Sequence, residues 1–166
     1  MVELPIDPEI QETSNLPVRH KDAYGDLEMW ISHDAVSEVF TGAFWNDEDI
    51  ERQKEWWVTE HEHQSLLEHL EALNAQESFA VAIQYLRGLG KLSGRVLDAG
   101  AGTCWSAALW SRVPEIESVD AVEFSWHRIS TLAGPTVAAL GGNADKINRV
   151  FGSFTDIRRP SGYYRI

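Results

Sequence analysis

The chain reads as an α/β protein, a parallel sheet flanked by helices. Three observations predict it. Short apolar runs recur at 95–97, 118–123 and 146–152; helical segments separate them; and the first run ends in a glycine turn, Asp98-Ala99-Gly100-Ala101-Gly102. Strand, turn, helix, strand, helix, strand is the order that right-handed crossovers convert into parallel neighbours.

Taken in order, residues 1–22 are polar, hold Pro5, Pro8 and Pro17 and show neither the helical nor the strand period. They are expected to form an extended or poorly ordered arm. Residues 23–74 are expected to form an N-terminal helical cap or lid. Within it, 47–74 has no Gly or Pro and an acidic first turn, which predicts one long helix or two joined near Thr59. Residues 75–89 predict a further helix, with Phe79, Ile83 and Leu86 on one stripe and Gly88 and Gly90 at its end. The sheet domain is expected over 75–166. Its first strand leads into the glycine turn, a helix follows over 103–112 and ends before Pro114, and a helical segment from Trp126 is expected to break or kink at Pro135.

Composition narrows the function classes. The 166 residues suit one domain with an N-terminal appendage, and 43% are hydrophobic. With 26 acidic and 14 basic residues the net charge is −12, which opposes nucleic acids and anionic membranes as partners. Cys104 is the single cysteine, so no intrachain disulfide can form. The opening MVELPIDPEIQET lacks the basic start and apolar run of a secretion signal, and no stretch reaches the ~18 apolar residues of a membrane span. A soluble cytoplasmic protein is expected. No metal site is expected either: in Glu60-His61-Glu62-His63 the two histidines would point about 200° apart on a helix, and His69 pairs with neither at i, i+4.

The glycine turn is the strongest functional signal. A loop leaving the C-terminal end of a parallel strand is where ligands bind, and glycines let the backbone approach them. The N–H groups opening the next helix add a weak positive pole. No Lys or Arg stands between Asp98 and Ser111, so this is not a phosphate-cradling P-loop. In the dinucleotide fingerprint the third small residue would fall at Trp105, whose bulk would obstruct a pyrophosphate.

The pattern Val96-Leu97-Asp98-Ala99-Gly100-Ala101-Gly102, with Glu123 ending the next strand, resembles the class I S-adenosylmethionine-dependent methyltransferases. The resemblance covers roughly residues 75–166, the N-terminal half of that family's Rossmann-like domain. It implies that Asp98 orients the methionine amino end of S-adenosylmethionine and that Gly100 and Gly102 allow close backbone approach. It also implies that Glu123 binds the ribose hydroxyls and Phe124 packs on the adenine. Ser153 stands where the family commonly has an acid for the adenine amino group, and Phe154 would cover the other adenine face. Cys104 replaces a frequent third glycine.

The family sheet has seven strands, and this sequence reaches the third and then the Gly162-Tyr163-Tyr164-Arg165-Ile166 stretch, where the family's fourth strand begins. The sheet is thus expected to be incomplete, a truncated domain, with an apolar edge beside Val96-Leu97. A second copy in a homodimer, the N-terminal helices or further C-terminal strands are expected to cover that edge. Tyr24, Trp30, Phe40, Phe44, Trp45, Trp56 and Trp57 are expected to staple the N-terminal region to the sheet, or to form a lid.

The function expected from the resemblance is methyl transfer from S-adenosylmethionine to a small-molecule acceptor, leaving S-adenosylhomocysteine. No catalytic base can be named. The alternative is a non-catalytic nucleoside-binding or interaction module; a nucleotide-dependent oxidoreductase ranks third because of Trp105.

Overall fold

A computed structural model of the chain describes residues 18–30 and 62–166. They are organised by a mixed five-stranded sheet: β1 (Val18–Asp22), β2 (Gly25–Met29), β3 (Gly94–Ala99), β4 (Ile116–Glu123) and β5 (Ile147–Phe151), in spatial order β1-β2-β5-β4-β3. Strands β3, β4 and β5 are parallel, as the sequence predicts. β2 adds to β5 in the same direction, and β1 pairs antiparallel with β2. The fold is α/β.

The β1–β2 hairpin differs from the sequence reading, which put 18–22 in the arm and 23–29 in the helical cap. The physical reason is its place at the sheet edge. Charged residues such as Arg19 and Lys21, both exposed, blunt an edge against aggregation and also erase the apolar signature of a strand. At the turn the Tyr24 N–H donates to Asp22 Oδ1 at 2.8 Å, an arrangement that Asp favours.

Four α-helices lie among the described residues: α1 (Glu62–Ala72), α2 (Ala75–Gly88), α3 (Trp105–Ser111) and α4 (Ala133–Ala139). Of the helix expected over 47–74, α1 supplies the described part and 47–61 lies outside the described residues. On α2 the expected stripe is present. Ile83 is buried, Phe79 and Leu86 pack on the core, and Phe79 meets Trp110 edge-on with centroids 4.9 Å apart. The helical segment from Trp126 is irregular just ahead of Pro135, which stands in the first turn of α4. A π-helical turn, His127–Leu132, precedes α4.

Alternate strand residues sort onto two faces. Val96, Val119, Ala121, Ile147 and Phe151 enter the main core with Ala107, Ala108, Ile129, Ala133 and Val137 of the helical segments. Leu97, Val122 and Val150 point the other way, where Trp30 and Ile157 cover them. Polar side chains extend this second face. Arg159 donates from Nη1 and Nη2 to Glu28 at 2.9 and 2.7 Å and from Nε to Asp120 at 2.9 Å. Asn148 Nδ2 bridges the two carboxylates, and the Tyr164 hydroxyl donates to Asp120 at 2.7 Å.

After β5 the chain crosses this second face and arrives at the outer edge of β3. There the Arg165 N–H donates to Arg95 O at 2.8 Å and the Leu97 N–H donates to Ile166 O at 2.9 Å. Residues 165–166 therefore run beside β3 in its own direction and meet part of the edge next to Val96-Leu97.

Candidate functional site

Three strand ends form the site's floor. β3 ends in Asp98-Ala99, β4 in Glu123 and β5 in Phe151, and the register sets Ala99 beside Val122 and Glu123 beside Phe151. The glycine turn folds over from β3 towards β4, with both Gly100 and Ala101 N–H groups donating to Val122 O. Gly100 and Gly102 have φ of +75° and +56°, conformations that glycine adopts without cost. Cys104 has φ of +62°, which explains why a glycine suits that position; its side chain is buried in the core.

Glu123 links the turn to β4. One carboxylate oxygen accepts the Gly102 N–H at 2.8 Å and the other accepts the Ser125 N–H at 2.8 Å, while the residue is only 2% exposed. The acid and the glycine turn, 21 residues apart, are thus one piece of structure. Its main-chain carbonyl also receives the Gly152 N–H at 3.0 Å, which brings the end of β5 to the same place.

Asp98 is half-buried, and its Oδ2 accepts the Ser106 hydroxyl at 2.7 Å. Burial pushes its pKa up; the bonds from Ser106 and the Ala107 N–H pull the other way, and the charge of Glu123 adds to the rise. Burial, with Asp98 beside it, also pushes the Cys104 thiol far up, so the cysteine is no nucleophile.

The amides of Gly100, Ala101, Gly102 and Cys104 all donate within the chain, to Val122, Val122, Glu123 and Ala101 respectively. A phosphate needs such amides pointing at it. These four amides are turned inward instead.

Of the residues expected in the site, Asp98, Gly100, Gly102 and Glu123 come together. Phe124 follows directly, half-buried at the end of β4. Ser153 follows β5, and its hydroxyl lies 2.7 Å from that of Thr155 while accepting the Thr155 N–H. Phe154 is 53% exposed, so its ring stands at the rim rather than in the core. Ser106, whose hydroxyl holds Asp98, and the Ser125 main-chain N–H, which holds Glu123, were missed in the sequence; a main-chain donor leaves no residue-type signal. Trp126 was missed too, and its ring meets Phe151 edge-on at 5.2 Å below this rim.

A cavity of about 330 Å³ lies at the opposite end of the strands, lined by Tyr24, Gly25, Gly134, Asp145, Ile147 and Arg149 among others. It takes no part in the glycine-turn site. Among the described residues no three of His, Cys, Asp and Glu gather as a metal site would require, and no helix is long and apolar enough to cross a membrane. His61 lies outside the described residues. Neither protein-family models nor curated proteins match this sequence.

Proposed function

We propose that the chain binds S-adenosylmethionine at the glycine turn and serves methyl transfer to a small-molecule acceptor in the cytoplasm, on a Rossmann-like sheet. The observation that carries this reading is the Glu123 carboxylate seated on the Gly102 N–H, which makes the glycine turn and a ribose-binding acid a single site. The internally bonded amides support a phosphate-free cofactor over a dinucleotide. The order β5-β4-β3, with residues 165–166 beside β3, supports the Rossmann-like topology.

In this reading Asp98 faces the cofactor's ammonium group, Gly100 and Gly102 let the methionine part approach the backbone, and Glu123 accepts from the ribose hydroxyls. Each Glu123 oxygen keeps a second lone pair for that purpose. Phe124 and Phe154 supply rings for the adenine, and Ser153 supplies a hydroxyl in place of an acid. The cofactor contributes the activated methyl, whose transfer by in-line displacement depends mainly on alignment.

The second reading, a non-catalytic nucleoside-binding or interaction module, is favoured by the burial of Glu123 and by its two backbone bonds, which also suit a purely structural fastening of the turn. Calorimetric titration with S-adenosylmethionine, S-adenosylhomocysteine and NAD tests both. Binding of the first two and not NAD is expected, and NAD binding without a response to S-adenosylhomocysteine overturns the proposal. Tight S-adenosylmethionine binding without methyl transfer to any of a panel of small-molecule acceptors selects the second reading.

A further inference from the structure

The rim of the candidate site is built by a segment with no regular structure of its own. Residues 152–164 contain neither helix nor strand, yet they leave the end of β5 beside Glu123 and reach the outer edge of β3 in a defined path. An irregular segment holds one course only where side chains fasten it.

The fastening is Arg159. Its guanidinium makes a two-pronged bond to Glu28, a third bond to Asp120, and lies 5.1 Å from the Trp30 ring and 5.5 Å from the Tyr163 ring. Glu28 is fully buried and Arg159 is only 14% exposed, so the guanidinium fills a receptor lined by two carboxylates and an indole. Trp30 ties the same receptor to the rim directly. Its indole N–H donates to Glu28 at 2.9 Å, its main-chain N–H donates to Phe151 O, and a Cβ at Gly152 would stand 3.0 Å from its own Cβ. Glu28 and Trp30 follow the β1–β2 turn, on the far side of β5 from the glycine turn.

We propose that Arg159 is a positioning residue for the site: seated on Glu28 and Asp120, it sets the course of residues 152–158 and makes the site's rim depend on the hairpin β1–β2. The part that concerns the ligand rests on the function proposed above. None of the hairpin's own residues needs to touch the ligand. The hairpin acts through the segment that carries Ser153 and Phe154.

The test uses the full chain with Arg159→Met, Arg159→Lys and Glu28→Gln, and a control, Ile83→Val, in the helix-side core. Hydrogen exchange of amides 153–158 and S-adenosylhomocysteine affinity by calorimetry are both measured. Arg159→Met and Glu28→Gln are expected to speed exchange at 153–158 while β3 and β4 stay protected, and to weaken binding by about five-fold or more. Arg159→Lys should fall between them and wild type, and Ile83→Val should leave both readouts unchanged. Faster exchange with unaltered affinity overturns the positioning role. If wild type does not bind S-adenosylhomocysteine, the proposed function fails by itself, and unchanged protection of 153–158 in Glu28→Gln separately overturns the latch.

Discussion

The two faces of the sheet are closed by different physics. On one, small and branched side chains of helices α3 and α4 pack against Val96, Val119, Ala121 and Phe151, and burial of apolar surface holds most of the layer together, with one buried ion pair, Arg149 to Asp22 at 2.6 Å, beside it. On the other, an irregular segment lies over a small apolar patch and is fixed by one guanidinium between two carboxylates. Apolar packing answers in grades, because the loss grows with the volume removed and the cavity left behind. A buried ionic receptor does not, since removing one partner strands the charge of the other.

Phe151→Ala and Arg159→Met should give the largest losses, each about 3–5 kcal/mol by denaturant unfolding. They differ in how they respond to a second change. Adding Glu28→Gln to Arg159→Met should recover part of the loss by removing the stranded charge, with a coupling of about 0.5–3 kcal/mol in the double-mutant cycle. Simple additivity there would erase the distinction between the faces. Gly134→Ala comes next. A Cβ at that position would run into the Tyr24 ring, so the hairpin must shift off α4, at about 1–3 kcal/mol.

The pH response sharpens the contrast. Burial alone would raise the pKa of Glu28, but hydrogen bonds from Arg159, Trp30 and Asn148 outweigh it and hold it at about 2, below its ordinary 4.5. A folded value below the unfolded one means that the carboxylate's stabilisation is complete above pH 4.5 and is lost as pH falls towards 2. The melting temperature of wild type should drop over that interval, and Glu28→Gln should flatten that part of the slope. The smallest effect is expected at Arg87→Ala. Its bond to Glu115 at 2.7 Å lies at the surface, where solvent screens it, and the unfolding midpoint at high salt should not move measurably.

Much of the helix-side architecture was legible in the sequence because parallel strands buried on both faces read as plain apolar runs. The runs containing Val96 and Val119 gave their strands directly, and the glycine pair with Glu123 gave a site whose parts do meet. Pro135 pointed to an irregularity in its helical segment, and the π-helical turn ahead of it was not itself legible. The receptor for Arg159 had no local signature: Glu28 and Arg159 stand 131 residues apart, and each resembles an ordinary surface charge when read beside its neighbours. Asp120 and Asn148, set within apolar strands, were the visible hint that one face of the sheet carried polar work.

The separation of Glu28 from Arg159 also bears on how the protein is made. Strand β2 emerges before the strands it joins: its partner Asn148 follows 120 residues later and Arg159 later still. Closing so long a loop is entropically unfavourable until the intervening sheet exists. The hairpin should therefore join last, as a finished β3–β4–β5 unit offers it an edge. Until then β2 has an open strand edge in a crowded cell, and the charges that obscured the hairpin in the sequence, Arg19, Lys21 and Glu28 among them, guard it against the wrong partner during that wait.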